Sequence, residues 1–198
     1  MSKSNIYLLL AIVLFCFSCK QTREGKKVSR VKLDSIAYEV TVLEDSIQNS
    51  WQVMTKNEEE MFFNIKRLLQ EIEYIPGHDP RPLDTLKKAN EATQAMRYNQ
   101  ETMRESALID RYDEAVSNLV NNVRKYSNTV KGIERHQVAV QLLEEIPQQY
   151  QKIYLNRVHY DFHIEDYNKL VEKNKKRLEK YNPKYASLES KPMFRLSE

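Results

Sequence analysis

From Ile36 to Ile72 the apolar residues recur in steps of three and four: Ile36, Val40, Leu43, Ile47, Trp51, Met54, Met61, Ile65, Leu68 and Ile72. Only a helix gathers such positions onto one face, because 3.6 residues per turn bring the chain back to the same side after three or four steps. Two successive four-residue steps around Ile47 and Trp51 let the stripe drift toward that period. The spacing predicts one helix of about forty residues, or about 60 Å at 1.5 Å per residue. Glu58 alone interrupts its apolar stripe. The helix must stop at Pro76-Gly77-His78-Asp79-Pro80-Arg81-Pro82, a run that no helix crosses.

Beyond this break the pattern stays helical. Leu83 opens a weaker segment with inner positions Ala89, Ala92, Met96 and Met103, small enough in part to allow a close neighbour. The phase resets near Glu105-Ser106, and Leu108, Tyr112, Ala115, Leu119, Val123 and Tyr126 form a third segment; whether a true break separates the two is open at this level. After a turn at Gly132 the cleanest ladder follows, from Leu143, Ile146, Tyr150 and Ile153 through Arg157, Tyr160, Ile164 and Tyr167 to Val171. Pro147 lies within it and should kink the helix or mark the end of an earlier turn. With only 3 glycines in 198 residues and 30% charged residues, the chain suits long solvated helices rather than sheets. The expected fold is all-α, an elongated antiparallel four-helix bundle with long first and last helices, over residues 31–180. Residues 181–198, with Pro183 and Pro192, read as an irregular tail.

The N-terminus has a different character. Lys3 precedes an unbroken apolar run, Ile6 to Phe17 (IYLLLAIVLFCF). Twelve helical residues reach about 18 Å, short of the roughly 30 Å of a bilayer's hydrocarbon core. That length fits the apolar segment of an export signal. Ser18-Cys19 follows at once and resembles the lipobox of bacterial lipoproteins, whose cysteine thiol receives a diacylglycerol before cleavage. Cys16 and Phe17 stand where that motif prefers Leu and a small residue. The expectation is a signal peptide over 1–18, a lipid anchor at Cys19 and a flexible polar tether over 19–30. An ordinary signal cleaved nearby, or an uncleaved anchor, is the alternative. Lys20 is not the Asp that retains lipoproteins at an inner membrane, which points to the outer membrane, facing the periplasm. Cys16 and Cys19 are the only cysteines, so residues beyond them can form no internal disulfide.

The closing helix, Leu142 to Asn168 (LLEEIPQQYQKIYLNRVHYDFHIEDYN), resembles that of the LemA family through Arg157, Tyr160 and Asp166-Tyr167-Asn168. Trp51 with Ile47, Met54, Phe62, Ile65, Leu68-Leu69 and Ile72 is similar to the family's Trp-containing first helix. Lys191-Pro192-Met193-Phe194 looks like its Lys-Pro-aromatic-Phe ending. The chain departs from the family at Ile65-Lys66-Arg67-Leu68-Leu69, which lacks the family's proline, and at Tyr126-Ser127, where the family has Tyr-Pro. The lipoprotein signal also stands in place of the usual transmembrane anchor. The resemblance implies a membrane-anchored antiparallel four-helix bundle and no established enzymatic activity.

Few residues suggest chemistry. His159 and His163, four apart on one helix, could share a metal with a third ligand such as Asp166, but Tyr160 replaces the glutamate that a His-Glu-x-x-His zinc site uses as base. Both histidines also flank the apolar stripe, where they serve equally well as boundary residues, and no metal is assigned. Arg157 at a core position is either an anion or partner site inside the bundle or one half of a structural ion pair. Glu58, the acidic interruption of the first ladder, is its natural counter-charge, since an isolated buried charge costs several kcal/mol. The twelve tyrosines fall mostly on helix ladders, as core and boundary packing. Lys173 to Lys180 (KNKKRLEK) reads as a solvated helix end that could also touch anionic headgroups. The net charge of +3 has no concentrated basic face, which argues against nucleic acid as a partner. No Ser-His-Asp set or glycine-rich phosphate loop is present, and no catalytic residue or cofactor is assigned. The expectation is a non-enzymatic envelope lipoprotein acting as a scaffold or adaptor for other envelope proteins. The alternative is a periplasmic protein holding a small ligand or metal between its helices, which needs a cavity near Arg157 or the His159–His163 face.

Overall fold

In the computed structural model, which describes residues 3–194 with side chains from Ser29 to Phe194, the chain forms four α-helices and no strand among the described residues. They are α1 (Lys3–Glu73), α2 (Pro80–Ala95), α3 (Ser106–Ser127) and α4 (Gln137–Tyr181), with 3-10 turns at Thr102–Arg104, Ile133–Arg135 and Pro183–Ser187. The expected signal at 1–18, Cys19 and the tether as far as residue 28 lie outside the residues described with side chains. Ser29 and Arg30, the last two residues of the expected tether, are already helical; no proline or glycine stands between them and the bundle to stop the helix. Among the described residues no helix is long and apolar enough to cross a membrane.

The first ladder buries as its period requires. Val40, Ile47, Met54, Met61, Ile65, Leu68 and Ile72 are all buried, with Leu43 and Trp51 half-buried beside them. Their main partner is α4, on which Ile146, Ile153, Tyr160, Ile164, Tyr167 and Val171 form the matching stripe. The cross-contacts fix the direction. Tyr181 bonds Asp34, Tyr167 donates to Glu44, Tyr160 packs on Trp51, and Asn64 donates to Gln149, so α4 descends as α1 rises. Each fully buried Leu, Ile or Phe contributes roughly 1.5–3 kcal/mol. With no disulfide in the described residues, this burial is the main source of stability.

The shorter helices pack as a second hairpin beside the upper half of α1. Pro80 takes the first helical position of α2, where its missing N–H costs nothing, and the Asp79 side chain caps the helix by accepting from the Arg81 amide at 3.0 Å. Gly77, at φ +84°, makes the left-handed turn that reverses the chain before this cap. At this same open end of the hairpin the Tyr126 hydroxyl donates to the Asp79 carbonyl at 2.8 Å, pinning the end of α3 to the start of α2. A second left-handed residue, Gly132 at φ +84°, turns α3 into α4. Pro147 has no N–H to donate, so α4 forgoes one rung there without ending.

Two expectations need correction. The inner stripe of α2 is Leu83, Leu86, Asn90 and Thr93, whereas Ala92 and Met96 are exposed and Ala89 is half-buried. Asn90 is drawn inward because its amide donates to the Phe62 carbonyl of α1 at 3.3 Å, a polar contact that an apolar count passes over. On α3 the stripe is Ile109, Tyr112, Val116, Leu119, Val123 and Tyr126, one position away from the expected Leu108 and Ala115. The break between α2 and α3 is real. Asn99 folds the connection by accepting from the amides of Glu101 and Thr102, both at 2.9 Å.

The tail after α4 is irregular but not loose. Asn182 and Pro183 reverse the chain, which runs back along the α1–α4 pair and buries Tyr185, Leu188 and Phe194. Asn168 holds it with two bonds, donating to the Lys191 carbonyl at 2.9 Å and accepting from its amide at 2.8 Å. Asp161 accepts from the Phe194 amide at 2.8 Å.

Candidate functional site

The charged residues that interrupt the two long ladders meet at mid-bundle. Arg157 of α4 lies 3.8 Å from Glu58 of α1, as the expected pairing requires, but its close partner is Asp113 of α3. Two parallel bonds, Nη1 to Oδ2 at 2.6 Å and Nη2 to Oδ1 at 2.7 Å, fork the guanidinium onto that carboxylate. Bidentate geometry of this kind is stronger and more directional than a point contact. Arg97, just after α2, approaches the other oxygen of Glu58 at 3.9 Å and reaches Glu59 at 3.3 Å. Asp113 gives no signal in the sequence, because it follows a ladder residue on a half-exposed helix edge, where charged side chains are ordinary.

Aromatic rings wall this cluster. Phe194 from the tail stacks on Trp51, with centroids 6.2 Å apart and planes 9° apart, and meets Tyr160 and Tyr98 edge-on at 5.4 and 5.8 Å. The Arg157 guanidinium sits 5.1 Å from the Phe194 ring and 5.8 Å from that of Tyr98. Trp51, Arg157, Tyr160 and Phe194 thus form one contiguous cluster.

Burial sets the electrostatics. Glu58 is pushed above the ordinary carboxylate range by loss of water, an effect opposed by the nearby Arg157 and Arg97. Burial works against the charge on Arg157, but the bond to Asp113 and the fields of Tyr98, Asp113 and Glu58 outweigh it and hold the guanidinium charged. Burial raises Tyr98 and Tyr112 well above the usual phenol range; the field of Glu58 adds to the rise, and those of Arg157 and Arg97 oppose it. Tyr167, buried beside Glu44, is pushed up to about 12. The raised carboxyl of Glu58 means that the folded chain holds this proton more tightly than the unfolded chain does. Its contribution to stability is therefore largest below the ordinary value of 4.5 and declines as pH rises through the window above it. Glu58→Gln should abolish that slope. In urea titrations from pH 4 to 8, the variant should gain on the wild type with rising pH and be at least as stable at neutrality. A wild-type advantage that grows with pH would contradict this assignment.

A cavity of about 440 Å³ opens beside the cluster, between α1, α3 and α4. Met61, Val116, Ile153 and Tyr150 make most of its wall, and Glu58, Tyr112, Asp113 and Arg157 form the polar end. It exists because α3 touches α4 only sparsely, the Asp113–Arg157 fork being its principal polar tie. At its rim α4 presents Tyr154 and Leu155, which continue outward into Val158 and Phe162. These four side chains are each more than half exposed and follow one another along one face of the helix.

His159 is exposed and His163 half-buried, its ring 6.0 Å from that of Phe162. Neither belongs to a metal-binding group: among the described residues no three His, Cys, Asp or Glu side chains are placed to hold an ion. Cys19 lies outside the residues described with side chains. No family model, curated protein or solved structure matches this chain.

Proposed function

We propose that this chain is a membrane-tethered envelope lipoprotein, anchored through Cys19 at the outer membrane, whose LemA-like helical bundle is a non-enzymatic scaffold or adaptor for other envelope proteins. The observation that carries the adaptor reading is the outward apolar strip of Tyr154, Leu155, Val158 and Phe162. Single exposed apolar residues are ordinary on any surface, but a contiguous row along one helix is the signature of a face that meets a partner. The LemA-like part rests on the resemblance carried by Trp51, Arg157, Tyr160, Asp166-Tyr167-Asn168 and Lys191 to Phe194. The membrane part rests on the apolar run Ile6 to Phe17 and on Ser18-Cys19.

In-cell crosslinking with affinity purification and mass spectrometry tests the reading. The wild type should enrich a small, reproducible set of envelope proteins. Leu155→Asp/Val158→Asp should lose them while keeping its helical content and membrane fraction. Cys19→Ser should lose them together with the membrane fraction. If no protein is enriched, or if the charged strip leaves the set intact, the adaptor reading falls.

The cavity favours a second reading, a binding protein that holds a small, mainly apolar ligand against the polar end at Arg157. Its volume lies within the usual range for such sites, about 300–1,000 Å³. Mass spectrometry of small molecules released from the natively purified protein would decide this independently of the crosslinked proteins.

A further inference from the structure

We infer that the end of the α1–α4 pair nearest the N-terminus is a docking surface for anionic lipid headgroups. In the sequence its basic residues stand far apart, with Arg30 and Lys32 in one place and the run from Lys173 to Lys184 in another. The antiparallel pairing of α1 with α4, closed at this end by the Tyr181–Asp34 bond, brings them together. Residues 29–34 and 172–184 hold eight Lys and Arg against three Asp and Glu. Arg30, Lys32, Lys173, Lys176, Lys180 and Lys184 are all exposed. The absence of a basic face along the sequence is thus overturned in three dimensions, at one end of the molecule.

The contrast with the rest of the bundle is informative. Arg97, Arg157, Lys87 and Lys169 are each matched to a carboxylate. Among the described residues none of the eight basic side chains at this end takes part in an ion pair. Unneutralised charges gathered on one surface produce a potential that reaches about one Debye length, roughly 10 Å at moderate salt.

Charge alone would suit a lipid surface or a nucleic acid. The position favours lipid. From this end the chain leads back, by way of Lys27, Lys26, Arg23 and Lys20, to Cys19, the expected site of the lipid anchor. A basic cluster close in the chain to a lipid anchor meets the headgroups of the same bilayer, and such an anchor gains firm attachment from this second, electrostatic contact. The orientation in this argument rests on the membrane-tethered reading proposed above, whereas the charge cluster itself does not.

The test is partition of the full chain carrying Cys19→Ser onto vesicles of phosphatidylcholine alone or mixed with phosphatidylglycerol. The expected result is at least about a tenfold preference for the anionic vesicles at low salt, lost at high salt. Lys173→Glu/Lys176→Glu/Lys180→Glu should abolish the preference and leave binding to phosphatidylcholine unchanged. The corresponding Gln variant, which reverses no charge, should reduce it by a smaller step. Equal partition onto both vesicles, or a preference that survives the Glu variant, overturns the proposal. So does a random-sequence DNA duplex that displaces the protein from anionic vesicles, which would assign the surface to nucleic acid. Failure of the tether is read separately, in cell fractionation of the wild type, and leaves the vesicle preference untouched.

Discussion

Arg157→Met should destabilise the bundle by about 3 kcal/mol at neutral pH, toward the lower end of the 3–5 kcal/mol that follows removal of one partner from a buried ion pair. The substitution keeps much of the aliphatic volume, so the loss is electrostatic rather than a cavity. It leaves Glu58, whose side chain is only 6% exposed, with Arg97 at 3.9 Å and the Tyr112 hydroxyl as its remaining polar neighbours. Asp113, at 29% exposure, recovers water and limits the damage. Two further results separate this account from generic damage to the core. The deficit should shrink at acid pH, where the stranded Glu58 takes up a proton. Glu58→Gln/Arg157→Met should recover most of it, because the second substitution removes the stranded charge. Urea denaturation followed by circular dichroism at pH 4.5 and 7.5 measures both. A double variant no better than Arg157→Met would show that Glu58 is not the stranded group.

Phe194→Ala should cost about 3–5 kcal/mol, the usual range for emptying a large aromatic site. Against a total of roughly 5–15 kcal/mol for a domain, that is a large share for a single residue of the tail. The ring is 6% exposed and touches Trp51, Tyr98, Tyr160 and the Arg157 guanidinium at once. Trp51 is the only tryptophan, so its fluorescence reports the site directly. In the Ala variant the emission should shift to the red and become more open to a soluble quencher, even below the unfolding transition. Phe194→Leu should keep most of the stability but lose the stacking contribution of about 0.5–1.5 kcal/mol. If Phe194→Ala melts as the wild type does with unchanged Trp51 emission, the tail is not seated as described.

What could be read in advance follows from which forces leave a periodic trace. The stripes of α1 and α4 are apolar, long and nearly uninterrupted, so the three-four spacing placed Val40 to Ile72 and Ile146 to Val171 in the core. Charge was legible for the same reason, since Glu58 and Arg157 stood out against apolar ladders and proved to be neighbours. Where burial is secured by hydrogen bonding instead, the pattern goes silent. Asn90 is 2% exposed yet carries an amide, so a count of apolar residues follows Ala89, Ala92 and Met96 instead. Asp113 was invisible because a carboxylate at a helix edge is ordinary until an arginine from another helix forks onto it. The cavity was out of reach, and of the basic end only the run Lys173 to Lys180 was visible. Each depends on the relative placement of helices far apart in the chain, one on the sparse contact of α3 with α4 and the other on the antiparallel pairing of α1 with α4. The prolines within residues 181–198 point to an irregular tail but carry no sign that Tyr185, Leu188 and Phe194 dock on the bundle.

The pairing of the first long helix with the last also has a kinetic consequence. Helical bundles built from neighbouring hairpins form quickly because their contacts are local in the chain. Here the α2–α3 hairpin, joined by ten residues and pinned by the Tyr126–Asp79 bond, can close early. The stripe of α1, made first, has no full-length partner until α4 has been synthesised and the loop between them has closed. During that interval Val40, Ile47 and Met54 are exposed to water and to other chains. The nascent chain is then an extended amphipathic helix waiting for its closing strut, and the last step to completion is the zipping of α4, with Phe194 sealing it.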